Sequence, residues 1–230
     1  MRAKPAFAKA RVGRQEAATS SPPLLDSALI FASANGLIIV VRADLERVLF
    51  DEPAIHKRLD ALAAQISNDY CDRELTVIAV LNGSLMFVAD LLRRIPLPLK
   101  LDCLSVVSYH GKMQTSGQVI LKFATANPSC GGQIVLPDVA GRDVLILDDI
   151  LDSGHTLAAI REKFDAAGPL SIRVCVFLSK KKPRARHVDA DYVGFEIEDE
   201  FIVGYGLDFM ERYRNLPYIG VLRKELLDQS

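Results

Sequence analysis

Cysteine and excess charge are both scarce in this sequence of 230 residues. Its four cysteines form no CxxC pair and have no metal-ligand spacing: Cys71, Cys103, Cys130 and Cys175. This argues against a zinc site or a disulfide framework and indicates a reducing compartment. The 28 lysines and arginines nearly balance 29 acids, so no global basic field exists to hold nucleic acid or an anionic membrane. We therefore expect a cytoplasmic protein with neither partner, in which any phosphate site is built locally.

Long apolar runs are also missing, since none reaches the roughly 20 residues that would span a bilayer. Residues 1–20 instead carry five basic side chains and one acid. Three interpretations of this segment stay open: a disordered tail, an upstream mis-start of the reading frame, or an organelle-targeting peptide. We treat residues 1–45 as an N-terminal extension, expected to be disordered, and residues 46–230 as the folded domain.

The order of apolar patterns indicates the fold class. Residues 52–70 have the spacing of an amphipathic helix, with apolar side chains at Ile55, Leu59, Leu62 and Ile66. Further helical patterns alternate with continuous apolar runs, which are typical of strands covered on both faces: strands at 75–81, 101–109, 119–125, 143–149 and 172–178, and helices at 84–95 and 156–167. This order predicts an α/β fold, a mostly parallel twisted sheet flanked by helices. We interpret the short β-rich runs of 191–206 as a small lid.

The strand at 143–149 ends in a distinctive loop. Asp148 and Asp149 deliver two adjacent carboxylates to the edge of the sheet where α/β proteins bind ligands. Burying such a pair is costly, which suggests partners such as ribose hydroxyls. Ser153, Gly154 and Thr156 then lead into a helix whose N-terminal N–H groups suit a monophosphate. The alternative is an ordinary helix capped by residue 152 or 153.

The stretch from Val144 to Thr156 resembles the phosphoribosyl-pyrophosphate signature of the type I phosphoribosyltransferases. Residues 179–184 and 199–218 resemble the hypoxanthine-guanine branch, and the resemblance covers residues 48–222. It implies the type I fold with a lid, or hood, over residues 185–225. It also implies a magnesium-dependent (Mg²⁺) reaction, in which a 6-oxopurine displaces pyrophosphate from C1 of phosphoribosyl pyrophosphate.

The resemblance assigns roles around the central loop. It implies that Asp148 and Asp149 bind the ribose and that Asp152 faces N7 of the base as proton acceptor or hydrogen-bond partner. The 5′-phosphate would lie on the segment Ser153, Gly154, His155 and Thr156, with no special role for the histidine side chain.

The purine side is assigned to Lys180, Phe201 and Ile202, which would read the 6-oxo group, stack on the base and address its edge through the backbone. Without the resemblance, Phe201 would be taken for a core aromatic. A solvated charge run is the interpretation that we favour for Lys181 and Lys182.

The pyrophosphate side is assigned to Asn82, Gly83 and Arg214. The family has a non-proline cis peptide at the Asn82–Gly83 loop, and many members carry a basic residue where Asn82 stands, so contacts here would rely on backbone amides. Asp208, with Asp148, would hold magnesium; an ordinary surface salt bridge to Arg214 is the alternative. Ser108 and Tyr109 would begin a flap that closes over the site.

Two alternatives remain at this point. One is a xanthine or broad 6-oxopurine phosphoribosyltransferase, and the other is a non-catalytic nucleotide-sensing regulator of the same fold. The resemblance also implies a homodimer or a homotetramer, without fixing which.

Overall fold

The computed structural model describes residues 41–107, 120–123 and 137–228, together with two short strands, β1 (Phe31–Ala32) and β2 (Ile38–Ile39), which pair antiparallel. The chain divides into two units, Met1–Val40 and Val41–Ser230. The expected disorder of residues 1–45 falls largely outside the described residues and stays a prediction. Within the described residues, no helix is both long enough and apolar enough to cross a membrane.

The second unit is built on a six-stranded sheet in the order β6-β5-β4-β7-β8-β9. Every neighbouring pair is parallel except β5 and β6, which are antiparallel. The mostly parallel sheet predicted from the sequence is therefore confirmed. The strands are β4 (Leu75–Leu81), β5 (Leu99–Val107), β6 (Ile120–Phe123), β7 (Asp143–Leu151), β8 (Ser171–Lys180) and β9 (Tyr192–Ile197).

Helices cover both faces of this sheet. They are α1 (Glu52–Asp69), α2 (Leu85–Leu92) and α3 (His155–Asp165). A short helix near the end of the chain, α4 (Lys224–Leu227), packs instead against a small cluster that contains Leu45, Val203 and Leu222. Helix α1 begins after Asp51, whose carboxylate accepts a hydrogen bond from the Ala54 amide at 2.9 Å. Its predicted apolar face is buried as expected.

The central strands are apolar on both faces because two separate cores use alternate residues. Val77 of β4 and Leu145 of β7 pack into the core that contains α1 and α2. Their neighbours Ile78 and Ile146 pack into the core that contains α3. This alternation explains why the strands read as continuous hydrophobic runs.

Strand β9 differs from the sequence interpretation, which placed residues 191–206 in the lid. It is the edge strand of the main sheet, parallel to β8. Its free edge is covered because Arg58 of α1 donates to the carbonyl oxygens of Val193 and Gly194, at 2.6 and 2.5 Å. These bonds occupy carbonyls that an edge strand would otherwise leave open.

A second sheet of three antiparallel strands carries the lid. It contains β3 (Leu45–Phe50), β10 (Ile202–Val203) and β11 (Ile219–Leu222), in the order β10-β11-β3. The lid is therefore assembled from both ends of the second unit. Strand β3 was not expected there, since a single six-residue strand far from its partners carries no pairing signal in the sequence.

We expect Gly194→Ala to destabilise the domain, because a Cβ at this position would lie 2.2 Å from the carbonyl oxygen of Phe177 in β8. Overpacking of this kind costs roughly 1–3 kcal/mol, which should lower the urea midpoint of unfolding without changing its slope. Gly168→Asn is the matched control, because a Cβ there meets no described atom within 4 Å and asparagine tolerates its positive φ. An unchanged midpoint for Gly194→Ala would contradict the close β8–β9 packing.

Candidate active site

The carboxyl ends of β4, β7 and β8 lie side by side at one edge of the main sheet. Three segments singled out in the sequence follow these strands: Asn82–Gly83 after β4, residues 152–156 after β7, and residues 180–184 from the last residue of β8. The parallel register therefore brings together residues that are up to about 100 positions apart in the chain.

The acid pair lies within β7, close to its carboxyl end, with Asp148 buried and only 6% exposed. The Asp149 amide donates to the Asp148 carboxylate at 3.0 Å. Burial, followed by the charge of Asp149, holds the pKa of Asp148 well above its usual range. Burial also raises the pKa of Asp149, and the charge of Arg214 offsets only part of that rise. The pair is therefore poised to accept hydrogen bonds from a ligand.

Glycine backbone closes around Asp149. A Cβ added at Gly83 would lie 1.6 Å from the Asp149 carboxylate, and one at Gly206 would lie 2.0 Å from the Gly83 carbonyl oxygen. The peptide bond between Leu81 and Asn82 is cis, as the resemblance implied, and the Asn82 side chain is exposed. Gly206 has a φ of 102° and faces backbone, so a larger residue would be strained there, whereas a side chain at Gly83 would displace the Asp149 carboxylate.

The loop after β7 does not form the ordinary capped helix that was the alternative. Helix α3 begins after Gly154, which has a φ of 81° and supplies no side-chain cap. The Ser153 carbonyl accepts from the Arg186 amide at 3.1 Å, and the side chains of Ser153 and His155 are exposed. The first N–H groups of α3 are thus without a side-chain cap, as a phosphate site requires.

Four charged side chains meet beside this loop: Asp152, Lys180, Lys182 and Asp199. The Lys180 ammonium lies 3.3 Å from the Asp152 carboxylate and 2.9 Å from that of Asp199. Lys182 pairs with Asp152 as well and lies 3.0 Å from Asp199. We call these four residues the charge cluster. The interpretation of Lys182 as part of a solvated run is wrong, because its turn after β8 directs it back to the site.

Lys181 fits that interpretation better, since its side chain is 51% exposed and its ammonium lies 3.5 Å from Glu198. Asp199 and Lys182 are the two residues of the cluster that sequence reasoning missed. A lysine within a basic run and an acid within an acidic turn carry no signal that would separate them from surface charge.

The lid supplies the predicted aromatic. The Phe201 side chain is 41% exposed, and its ring meets the edge of the Phe209 ring with centroids 5.4 Å apart. Ile202 is buried in β10, next to it in the chain. Phe201 is therefore not a core aromatic, and part of its side chain remains exposed at the surface of the lid.

Asp208 and Arg214 form an ion pair at 2.7 Å, and both side chains are partly buried. Asp208 also accepts from the Glu211 amide at 2.9 Å, and Arg214 donates to the Gly206 carbonyl at 2.7 Å. Arg214 is thereby tied to the glycine backbone near Asp149. Among the described residues there is no group of three or more histidines, cysteines or acids arranged for a metal ion. The predicted flap at Ser108 and Tyr109 lies outside the described residues.

Comparison with known proteins identifies the family. A sequence profile of the phosphoribosyl transferase domain matches residues 48–210. The chain belongs to the phosphoribosyltransferase family. It is 42% identical to the hypoxanthine-guanine phosphoribosyltransferase of Bacillus subtilis over 185 residues, which are 80% of this chain and 97% of the relative.

Solved phosphoribosyltransferase structures are similar over the same span. A Staphylococcus aureus hypoxanthine phosphoribosyltransferase has a TM-score of 0.72 and 38% identity, covering 81% of this chain and 96% of that one. A Trypanosoma cruzi hypoxanthine phosphoribosyltransferase, solved as a ternary complex with substrates, has a TM-score of 0.71 and 33% identity, covering 80% and 99%. The fold class, the enzyme class and the family predicted from the sequence are therefore confirmed.

We expect Asp148→Asn to stabilise the protein in the absence of ligands. The amide removes a buried charge beside Asp149, a change of the kind that gains roughly 0.5–2 kcal/mol at a functional site. The folded-state pKa of Asp148 is raised, so the wild-type protein loses stability as pH rises from about 4, where unfolded aspartate ionises. The gain should therefore be largest at neutral pH and vanish in acid.

Urea unfolding with a chelator present, at several pH values, measures this gain. Asp138→Asn is the control, because Asp138 is exposed and its partner among the described residues is Arg142, four positions on, where an ion pair contributes little. A destabilised Asp148→Asn at neutral pH would show that the buried carboxylate is favourable before any ligand binds.

Proposed function

We propose that this phosphoribosyltransferase acts in purine salvage. It converts hypoxanthine or guanine, with phosphoribosyl pyrophosphate, into IMP or GMP and pyrophosphate. The observation that carries the proposal is the position of Asp152. It follows the buried acids of β7 by three residues in the chain, and its carboxylate lies 3.3 Å from the ammonium of Lys180, the last residue of β8. The names of the relatives and neighbours support the same reaction.

The phosphoribosyl end follows from the groups around β7. Asp148 and Asp149 accept hydrogen bonds from the two ribose hydroxyls, which relieves the cost of burying them. Ser153, Gly154 and Thr156 hold the 5′-phosphate at the uncapped N-terminus of α3, with His155 contributing its backbone. Their role is to fix C1 of the ribose in position for attack, since positioning supplies much of the rate in such transfers.

The purine end is read by two residues of the charge cluster, Lys180 and Asp152, and by the lid. Lys180 has three N–H donors, two of which face carboxylates, and the third donates to the 6-oxo group. Asp152 accepts the proton, or the hydrogen bond, at N7 of the base as the new bond forms at N9. Phe201 stacks on the ring and the Ile202 backbone addresses its edge. A cationic donor disfavours adenine, whose 6-amino group also donates.

The leaving pyrophosphate is held by the backbone of Asn82 and Gly83 and by Arg214. Asp208 and Asp148 are the carboxylates that would hold magnesium (Mg²⁺), an ion that commonly takes one or two carboxylates together with substrate phosphates and water. Asp208 is partly exposed beside Arg214. The ion would supply positive charge that neutralises the charge growing on the leaving group. Ser108 and Tyr109 would begin the flap that excludes water.

The proposal extends to the setting of the enzyme. We place residues 46–230 in one phosphoribosyltransferase domain that works in the cytoplasm, as a homodimer or a homotetramer. Adjacent apolar side chains on the surface of α2 support self-association, since Leu85 and Met86 are 52% and 38% exposed.

Each of four bases, hypoxanthine, guanine, xanthine and adenine, is mixed with the protein, phosphoribosyl pyrophosphate and magnesium. We expect turnover of hypoxanthine and guanine, and none above background for adenine. Nucleotide and pyrophosphate formation are followed together, and a chelator should abolish both. Turnover of xanthine at a similar rate would instead assign the broad 6-oxopurine activity. No turnover of any 6-oxopurine would contradict the proposed function.

We expect Asp152→Asn to depress kcat by about 100-fold, the scale of a lost general base, while the Kd for phosphoribosyl pyrophosphate changes little. The amide cannot accept a proton, but it leaves the phosphate and ribose contacts intact. Asp165→Asn is the control, because that residue lies at the other end of α3 and is exposed. Equal losses in kcat and in phosphoribosyl pyrophosphate binding would count against the role at N7.

A further inference from the structure

The charge cluster contains more charged residues than the proposed reaction requires. Each of its two carboxylates contacts both ammonium groups, so two negative and two positive charges alternate around a ring. The reaction needs Asp152 and Lys180 only. Lys182 and Asp199 complete the ring without an assigned role.

The chain after β8 places the second lysine in the ring. The Lys182 amide donates to the Lys180 carbonyl at 3.1 Å, forming a tight turn. This turn returns the Lys182 side chain to the carboxylates that Lys180 already contacts. The lysine between them diverges, and its ammonium pairs with Glu198 instead. Lys180 and Lys182 therefore share Asp152 and Asp199 as partners, whereas Lys181 does not contact either acid.

The four contact distances bear on how Lys182 affects the position of Lys180. Lys180 lies closer to Asp199, at 2.9 Å, than to Asp152, at 3.3 Å. Without Lys182, one ammonium would face two carboxylates, and its shorter contact would draw it toward Asp199. Lys180 would then leave Asp152 and the purine edge. Lys182 contacts both carboxylates, so it offsets part of the charge of each and leaves Lys180 shared between the two.

The effects on ionisation agree with this geometry. The contact with Asp152, followed by the contact with Asp199, raises the pKa of Lys182. Lys180, followed by Lys182, lowers the pKa of Asp199. The side chain of Lys180 is only 11% exposed and that of Lys182 is 26% exposed, so water screens these pairs less than it screens the contact of Lys181.

We infer that Lys182 is a positioning residue for purine recognition, which keeps Lys180 and Asp152 aligned by neutralising Asp199. This inference deepens the proposed function and rests on it. Lys182 does not touch the base; it acts through its two carboxylate partners. Its side chain should therefore affect the purine half of the reaction and leave the phosphoribosyl half unchanged.

Three single variants test the inference in the full chain: Lys182→Met, Lys182→Arg and the control Lys181→Met. For Lys182→Met, kcat/KM for hypoxanthine should fall about tenfold, between the small effect of an exposed ion pair and the roughly 100-fold effect of a misplaced reacting group. The Kd for phosphoribosyl pyrophosphate should stay within about twofold of wild type, because its site is elsewhere. Lys182→Arg should recover most of the loss, and Lys181→Met should behave as wild type.

The double variant Lys182→Met with Asp199→Asn separates positioning from direct contact. If Lys182 acts by offsetting Asp199, removing both charges should restore kcat/KM for hypoxanthine to within about threefold of wild type, so the two substitutions are not additive. A double variant as impaired as Lys182→Met, or an unimpaired Lys182→Met, would overturn the inference. Equal losses in kcat/KM for hypoxanthine and in phosphoribosyl pyrophosphate binding would also overturn it, because they indicate a general structural defect.

An assay of the wild-type enzyme separates a failure of the proposed function from a failure of the role inferred for Lys182. If it converts no 6-oxopurine, the proposed function fails and the role of Lys182 fails with it. If it is active and Lys182→Met matches it, only the role of Lys182 is overturned.

Discussion

The parallel register of β4, β7 and β8 is the constraint on which the site depends. Hydrogen bonds along these strands set Leu147 beside both Ala79 and Cys175, and the chain then leaves each strand at the same edge. Two apolar cores, one on each face, hold the strands in this register. Because the side chains alternate between the cores, a slip of one residue would exchange every buried side chain between faces. The position of the loops is therefore fixed by packing that lies far from them.

The resulting site contains two different arrangements of charge, one of like charges and one of balanced charges. Asp148 and Asp149 are buried like charges, and burial raises the pKa of each. The charge cluster around Asp152 is balanced, with each acid between two lysines. The first arrangement favours a ligand that brings donors, and the second holds its groups ready before a ligand arrives. In the proposed reaction, the sugar and the base would thus meet opposite kinds of surface at one edge of the sheet.

Much of this architecture could be predicted from the sequence, because periodicity and loop chemistry are local. The apolar face of α1 from Ile55 to Ile66, the strand pattern and the loop after Asp149 are all readable in short windows. Pairing between segments that are distant in the chain cannot be predicted in this way. The union of β3 with β10 and β11, the place of β9 in the main sheet and the return of Lys182 to Asp152 depend on tertiary contacts. Composition cannot reveal these contacts, since the same residues would give the same sequence pattern if they lay on the surface.

The glycine contacts around Asp149 limit how this enzyme can change. A side chain at Gly206 would meet a backbone carbonyl, and one at Gly83 would displace the Asp149 carboxylate, so a substitution at either position disturbs its surroundings. Under the proposed function, these glycines lie on the pyrophosphate side, whereas the charge cluster and Phe201 lie on the base side and include partly exposed side chains. Base preference is therefore the property that we expect single substitutions to alter more readily than the choice of sugar-phosphate donor.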